Sequence, residues 1–134
     1  MGLYNKTVMN IFYCDDDSDD IEFFQKAIAN INSAIDLTAI TDAEEALSVL
    51  ASKNELPHFI FLDLHMPKMD GLECVIAIKR NKRLKRIPIA ILANGLSKTQ
   101  IEQFNKLGVF QFISKTTYED LELSLRNILD VGTS

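Results

Sequence analysis

Three apolar runs in this chain end on residues that can do chemistry. Val8-Met9-Asn10-Ile11-Phe12-Tyr13-Cys14 gives way to Asp15-Asp16-Asp17, Phe59-Ile60-Phe61-Leu62 to Asp63, and Val109-Phe110-Gln111-Phe112-Ile113-Ser114 to Lys115. Each run reads as a buried strand, and open α/β sheets place their chemistry outside the C-terminal ends of their strands. Two carboxylate sites and one ammonium gathered there make a site for a divalent cation and a phosphoryl group. Carboxylates crowded at one sheet edge repel each other and raise one another's pKa. A hard divalent ion relieves that repulsion by taking their oxygens into its coordination shell.

Strand-like and helix-like segments alternate along the whole chain to position these residues. The first strand, about 8–14, leads to a helix starting near Ser18, whose Ile21, Phe24, Ile28 and Ile31 fall at helical spacing. Asp19 and Asp20 suit the positive end of that helix. A second strand over 35–40 alternates as a half-buried strand does, and Thr41-Asp42-Ala43-Glu44 reads as a capping box opening a helix to about Lys53. The third strand, 58–62, delivers Asp63, and Asp70-Gly71 turns the chain into a third helix carrying Leu72, Val75 and Ile76. Ile87 to Ala93 is apolar almost throughout, as a strand buried on both faces requires. Ser97-Lys98-Thr99-Gln100 is a further capping box, and its helix stops at Gly108. A fifth strand, 109–114, precedes a last helix with Leu121, Leu125, Ile128 and Leu129 on one side.

This (βα)5 pattern with short connections calls for a parallel sheet with helices on both faces, because parallel neighbours need crossovers. Five strands suit the flavodoxin-like order 2-1-3-4-5, which brackets a crevice between strands one and three. Asp15, Asp16 and Asp63 then converge there, with Lys115 arriving from the far side. At 134 residues and 47% hydrophobic content the chain reads as one domain, 1–134, with a core over about 8–130.

Composition excludes several function classes. A net charge of −5 argues against a nucleic-acid or membrane surface, since both need clustered positive charge. The basic residues from Lys79 to Arg86 read as a solvated helix end and loop, where cations complement a helix C-terminus. Cys14 and Cys74 lie in apolar segments and read as buried small hydrophobes rather than a disulfide framework. No secretory signal or membrane-length apolar run is present, and Lys6 spoils a myristoylation pattern at Met1-Gly2, so the expected location is cytoplasmic.

The motifs Phe61-Leu62-Asp63-Leu64, Met66-Pro67 and Asp70-Gly71, with Cys14-Asp15-Asp16-Asp17 upstream and Ile113-Ser114-Lys115 downstream, carry a family resemblance. The chain resembles the receiver domain of two-component response regulators, of the stand-alone, chemotaxis-regulator-like kind. The resemblance implies that Asp63 is the phosphoacceptor, taking its phosphoryl group from a phosphohistidine on a sensor histidine kinase or histidine phosphotransfer protein. It implies Mg²⁺ held directly by Asp16 and Asp63, by Asp15 largely through water, and by the backbone carbonyl of His65. Lys115 would bind a phosphoryl oxygen. The protein would take part in its own phosphoryl transfer and hydrolysis without being a turnover enzyme. With no effector segment after residue 130, output is expected to run through a downstream protein bound at about 97–130.

Three departures from the family pattern stand out. Thr116 follows the lysine where proline is usual. Ala93 occupies the place of a Thr or Ser whose hydroxyl binds the phosphoryl group, a bond of the class worth ~1.5–3 kcal/mol; Asn94 is the nearest side chain that could offer an amide instead. Phe112 takes the position of an aromatic that rotates inward on activation. Ala93, Asn94 and Phe112 are therefore the switch positions to watch.

Plainer readings apply elsewhere. Asp17, Asp19 and Asp20 read as a solvated helix N-terminus. A calcium loop fails at Asp20 and Lys26, and His58 and His65 lack zinc-ligand partners. His65 lies at the crevice mouth, where its side chain could influence water access. The alternatives are a phosphorylation-indifferent scaffold, kept alive by Ala93, and an aspartyl phosphatase of the haloacid-dehalogenase type, which wants Thr where Asp19 stands.

Overall fold

A computed structural model describes residues 9–129. Val8, residue 130 and the Met1-Gly2 pattern with Lys6 lie outside the described residues. Ten elements alternate: β1 Asn10–Cys14, α1 Ser18–Ile31, β2 Asp36–Ile40, α2 Ala43–Ser52, β3 Phe59–Asp63, α3 Gly71–Arg80, β4 Ile89–Leu92, α4 Lys98–Lys106, β5 Gln111–Ile113 and α5 Tyr118–Leu129. All strand pairs are parallel, in the order β2-β1-β3-β4-β5. The predicted doubly wound, flavodoxin-like sheet is the one observed.

Successive strand residues point to opposite faces of the sheet, and this divides the core in two. Phe12, Cys14, Ile60, Leu62, Ile89 and Ile91 pack against Leu50 of α2, Val75 and Ile78 of α3 and Phe104 of α4. Ile11, Tyr13, Phe61, Ala90, Leu92 and Ile113 face Phe24 and Ile28 of α1 and Leu121 and Leu125 of α5. Because β1 and β3 bury both faces, their sequences are continuous apolar runs rather than alternating ones. Both cysteines are buried and unpaired, and burial pushes each thiol up to about 12.

Several boundaries differ from the sequence reading. Strand four is shorter than 87–93 because Pro88 has no N–H to give; its carbonyl still accepts from Ile60 N–H at 2.9 Å. Strand five shrinks to Gln111–Ile113, and Val109 instead closes the turn after α4, its N–H donating to the Phe104 carbonyl at 3.1 Å. The helix starts one residue later than the capping box expected at Thr41 would have it: Asp42 is the cap, its carboxylate accepting from Glu45 N–H at 2.9 Å. Either residue type can cap, and the register of Ala43, Ala46 and Leu50 against the sheet decides between them. The Ser97–Gln100 box is present as expected, and Gly108 follows its helix at φ +87°, a left-handed conformation that suits glycine.

Candidate functional site

β1 and β3 are neighbours in register, Cys14 opposite Leu62, so the residues just beyond them share one crevice. Asp63 closes β3 and is nearly buried, and Asp15, one residue past β1, is wholly buried. Asp16 is exposed at the rim. Asp15, Asp16 and Asp63 each offer a carboxylate oxygen, and these oxygens lie within 4.8 Å of one another. Such hard, closely spaced oxygen donors fit a divalent cation.

Lys115, two residues beyond β5, reaches into the same crevice. Its Nζ lies 2.7 Å from Asp15 Oδ2, 2.7 Å from Asp63 Oδ1 and 2.8 Å from Asp20 Oδ2. Asp15 is further held by the Asp17 N–H, which donates to Oδ1 at 3.0 Å, and by the Tyr13 hydroxyl, which donates to Oδ2. Tyr13 itself stacks on Phe24, ring centroids 4.0 Å apart. A buried carboxylate is tolerable only when paired and hydrogen-bonded in this way.

The electrostatics follow from this packing. Burial pushes the Asp63 carboxyl above the ordinary carboxylate range and the nearby Asp15 adds to the rise, while the hydrogen bond from Lys115 works against it. Burial opposes the charge on Lys115, but its hydrogen bonds to Asp15, Asp20 and Asp63 outweigh that and hold it above the usual lysine value. Burial and the adjacent Asp15 push the Tyr13 hydroxyl well up, so it stays a donor.

The chain leaving β3 turns tightly around the site. Met69 N–H donates to the Pro67 carbonyl at 2.7 Å, with Lys68 between them at φ +69°. Gly71 N–H then donates to the Leu64 carbonyl at 2.8 Å. A Cβ on Gly71 would stand 2.8 Å from the Asp63 carbonyl oxygen, so only glycine lets α3 begin this close to the acidic residue. Asp70 caps α3 in a full capping box with Glu73, so Asp70-Gly71 is the turn that the sequence suggested.

The remaining sequence-predicted residues fall as follows. His65 is exposed beside the crevice. His58 is structural, its Nδ1 accepting from Asn10 N–H at 3.0 Å. Ala93 is buried just past β4 and brings no hydroxyl. Asn94 is engaged at both ends of its amide: its Nδ2 donates one hydrogen bond to the Lys115 carbonyl at 3.0 Å and its Oδ1 accepts from Ser114 Oγ at 3.2 Å. It braces the segment that carries Lys115. Phe112 is half-buried, its ring edge-on to Phe104 at 6.0 Å.

Two site residues escaped the sequence reading. Asp19 is solvated as expected, but Asp20 is not: it ion-pairs with Lys115. Nothing in an acidic first turn distinguishes a helix-dipole partner from a side chain aimed at a distant lysine. Tyr13 looked like a core aromatic, and it is one; only the position of its hydroxyl reveals the bond to Asp15.

Known proteins match this architecture. The family model described as the response regulator receiver domain matches residues 11–126. The probable methanogenesis regulatory protein FilR2 of Methanothrix harundinacea is 31% identical over 94 residues, which are 66% of this chain and 61% of that protein's length. The chain thus spans about three-fifths of that relative. Among solved structures, the phosphorylated cyanobacterial phytochrome response regulator RcpA superposes with TM-score 0.85 at 29% identity, over 96% of this chain and 97% of that one. The Mn²⁺-bound form of response regulator Rcp1 gives 0.81 at 25% identity, over 94% and 96%. Among the described residues no helix is long and apolar enough to cross a membrane.

Proposed function

The chain belongs to the response regulator receiver family, and from that premise we propose that it accepts a phosphoryl group on Asp63 and signals by binding a partner. The observation that carries this reading is the nearly buried Asp63 carboxylate, 2.7 Å from the Lys115 ammonium and clustered with Asp15 and Asp16. A carboxylate in this setting is an anionic nucleophile held beside a cation that it shares with Asp15 and Asp20. The donor is a phosphohistidine on a sensor histidine kinase or a histidine phosphotransfer protein, and small acyl phosphates can serve in its place.

An Asp63 oxygen forms the new O–P bond as the N–P bond of phosphohistidine breaks, leaving an acyl phosphate on Asp63 and the imidazole as leaving group. Lys115 holds the Asp63 carboxylate and an incoming phosphoryl oxygen together, acting as a point charge on a flexible stem. Asp15, fixed by Tyr13 and the Asp17 N–H, keeps that ammonium at the crevice. Mg²⁺ would be held directly by Asp16, Asp63 and the His65 main-chain carbonyl, and by Asp15 largely through water. When bound, it supplies positive charge that shields the phosphoryl oxygens and favours in-line transfer. Hydrolysis of the acyl phosphate releases inorganic phosphate and restores Asp63; the protein is itself the substrate, a phosphoacceptor that takes part in its own phosphoryl transfer and hydrolysis and not a turnover enzyme.

Output runs through the surface of about 97–130, comprising α4, β5 and α5, toward a downstream protein in the cytoplasm. Ala93 supplies no hydroxyl and the Asn94 amide is engaged with Lys115 and Ser114, so the link from phosphoryl group to α4 rests on other groups. Phe112, against Phe104 of α4, is the aromatic placed to carry it.

Intact mass after incubation with acetyl phosphate, with and without Mg²⁺ and with an Asp63→Asn control, tests this reading. One added phosphoryl group requiring both Mg²⁺ and Asp63 supports it. Uptake that persists in Asp63→Asn puts the acceptor on another residue and overturns the assignment to Asp63; no uptake even from a histidine phosphodonor favours the scaffold reading that Ala93 suggests.

A further inference from the structure

Three carboxylates crowd the Lys115 ammonium, Asp15 and Asp20 as hydrogen-bond acceptors and Asp63 as an ion-pair partner. A lysine ammonium has three N–H donors and no acceptor, and three carboxylates stand at hydrogen-bonding distance: Asp15 at 2.7 Å, Asp63 at 2.7 Å and Asp20 at 2.8 Å. A phosphoryl oxygen arriving at Asp63 can receive a donor from Lys115 only if one of these contacts gives way. Asp63 keeps its contact, because the ammonium must hold the carboxylate and the phosphoryl oxygen together. Asp15 cannot release cheaply. Its side chain is 0% exposed and pinned by the Tyr13 hydroxyl and the Asp17 N–H, so it can neither turn away nor take up water in place of the ammonium.

Asp20 is different in each respect. Its side chain is 35% exposed, it sits in the first turn of α1, and Lys115 is its one ion-pair partner among the described residues. A cavity of about 290 Å³ opens beside it, bordered by Phe23, Leu92, Thr117 and Leu121, with room for the carboxylate to turn and for water to replace the ammonium. Water can satisfy a freed surface carboxylate at small cost, and a partly exposed pair is weak to begin with.

We propose that Asp20 is a positioning residue that competes with the phosphoryl group for Lys115, so that it slows phosphoryl uptake at Asp63 while leaving hydrolysis nearly untouched. The inference rests on the phosphoacceptor reading above. The asymmetry comes from which states contain the Asp20–Lys115 contact. It exists before transfer and is lost on the way to the transition state, so its strength adds to the barrier for uptake. In the phosphorylated protein and in the hydrolytic transition state Lys115 is already on the phosphoryl group, so Asp20 contributes equally to both and cancels.

The test compares wild type, Asp20→Asn, Asp20→Glu and Asp19→Asn. Uptake is followed by intact mass during incubation with acetyl phosphate and Mg²⁺, and loss of the phosphoryl group is followed after the donor is removed. Asp19 is the control for charge alone: it stands in the same helical turn, is exposed, and makes no ion pair with Lys115. Asp20→Asn is expected to speed uptake roughly two- to fivefold, the scale of a partly exposed ion pair, with the hydrolysis rate changed less than about twofold. Asp20→Glu keeps the carboxylate and stays near wild type; Asp19→Asn stays near wild type in both rates. Unchanged or slower uptake in Asp20→Asn overturns the inference, as does an equal gain in Asp19→Asn or a parallel change in hydrolysis. Absence of uptake in the wild type from acetyl phosphate and from a histidine phosphodonor alike overturns the phosphoacceptor reading and this inference with it; uptake in the wild type with no effect of Asp20→Asn overturns this inference alone.

Discussion

Replacing Lys115 with methionine removes the cation from three carboxylates while keeping most of the aliphatic stem. Asp15 is then a fully buried charge supported only by a hydroxyl and one N–H, and Asp63 a nearly buried one. Breaking a buried ion pair by deleting one partner costs about 3–5 kcal/mol. Lys115 is 20% exposed and Asp20 can rehydrate, so water offsets part of this and about 2–3 kcal/mol is the expected loss. For a domain of this size that corresponds to a melting temperature lower by roughly 6–15 °C. The loss depends on pH in a defined sense. Burial already raises the Asp63 carboxyl, and losing the ammonium raises it further. An acid whose folded pKa exceeds its unfolded value adds stability below the unfolded value and loses it as pH rises through the folded one. Wild-type Lys115, held above the ordinary lysine range, stays charged throughout, so the variant's deficit is larger at pH 8 and shrinks toward pH 5. Urea unfolding at the two pH values with EDTA, repeated with Mg²⁺, measures both effects; the ion should stabilise the variant more than the wild type, because it supplies the missing positive charge. A deficit under 0.5 kcal/mol at pH 8 would refute the argument that Lys115 is the counter-ion of a buried acid. So would a deficit that grows on acidification.

Two further perturbations probe the same crevice. Asp63→Asn, in EDTA, should gain stability relative to wild type as pH rises through the raised Asp63 pKa and lose that advantage below the ordinary carboxylate range; a pH series of urea midpoints checks it, and a constant difference would contradict the burial-driven rise. Gly71→Ala puts a Cβ 2.8 Å from the Asp63 carbonyl and 3.0 Å from Leu64 Cα, both backbone atoms with little freedom to move. It should cost about 1–3 kcal/mol by overpacking and slow phosphoryl uptake by shifting Asp63; unfolding and acetyl phosphate kinetics report on the two separately.

The order of elements, the apolar strand runs and the strand-end positions of Asp15, Asp63 and Lys115 were all readable from the chain alone. They depend on local periodicity and on a short list of allowed topologies, and both are properties of sequence pattern. The receiver motifs around Asp63 and the Ser97 capping box are equally local, because every partner lies within a few residues. What the sequence did not reveal involves groups far apart in the chain. Thr41 and Asp42 can both cap a helix, and packing of α2 on the sheet chose Asp42. Asn94 reads as an available amide until its bonds to Lys115 and Ser114 are seen. Asp20 and Lys115 are 95 residues apart, and an acidic first turn looks the same whether its carboxylates meet water or a lysine. Sequence thus determined which residues could do the chemistry. Only the tertiary structure decided how their charges pair, because pairing energy depends on distances and burial that the chain acquires when the sheet closes over α1 and α5.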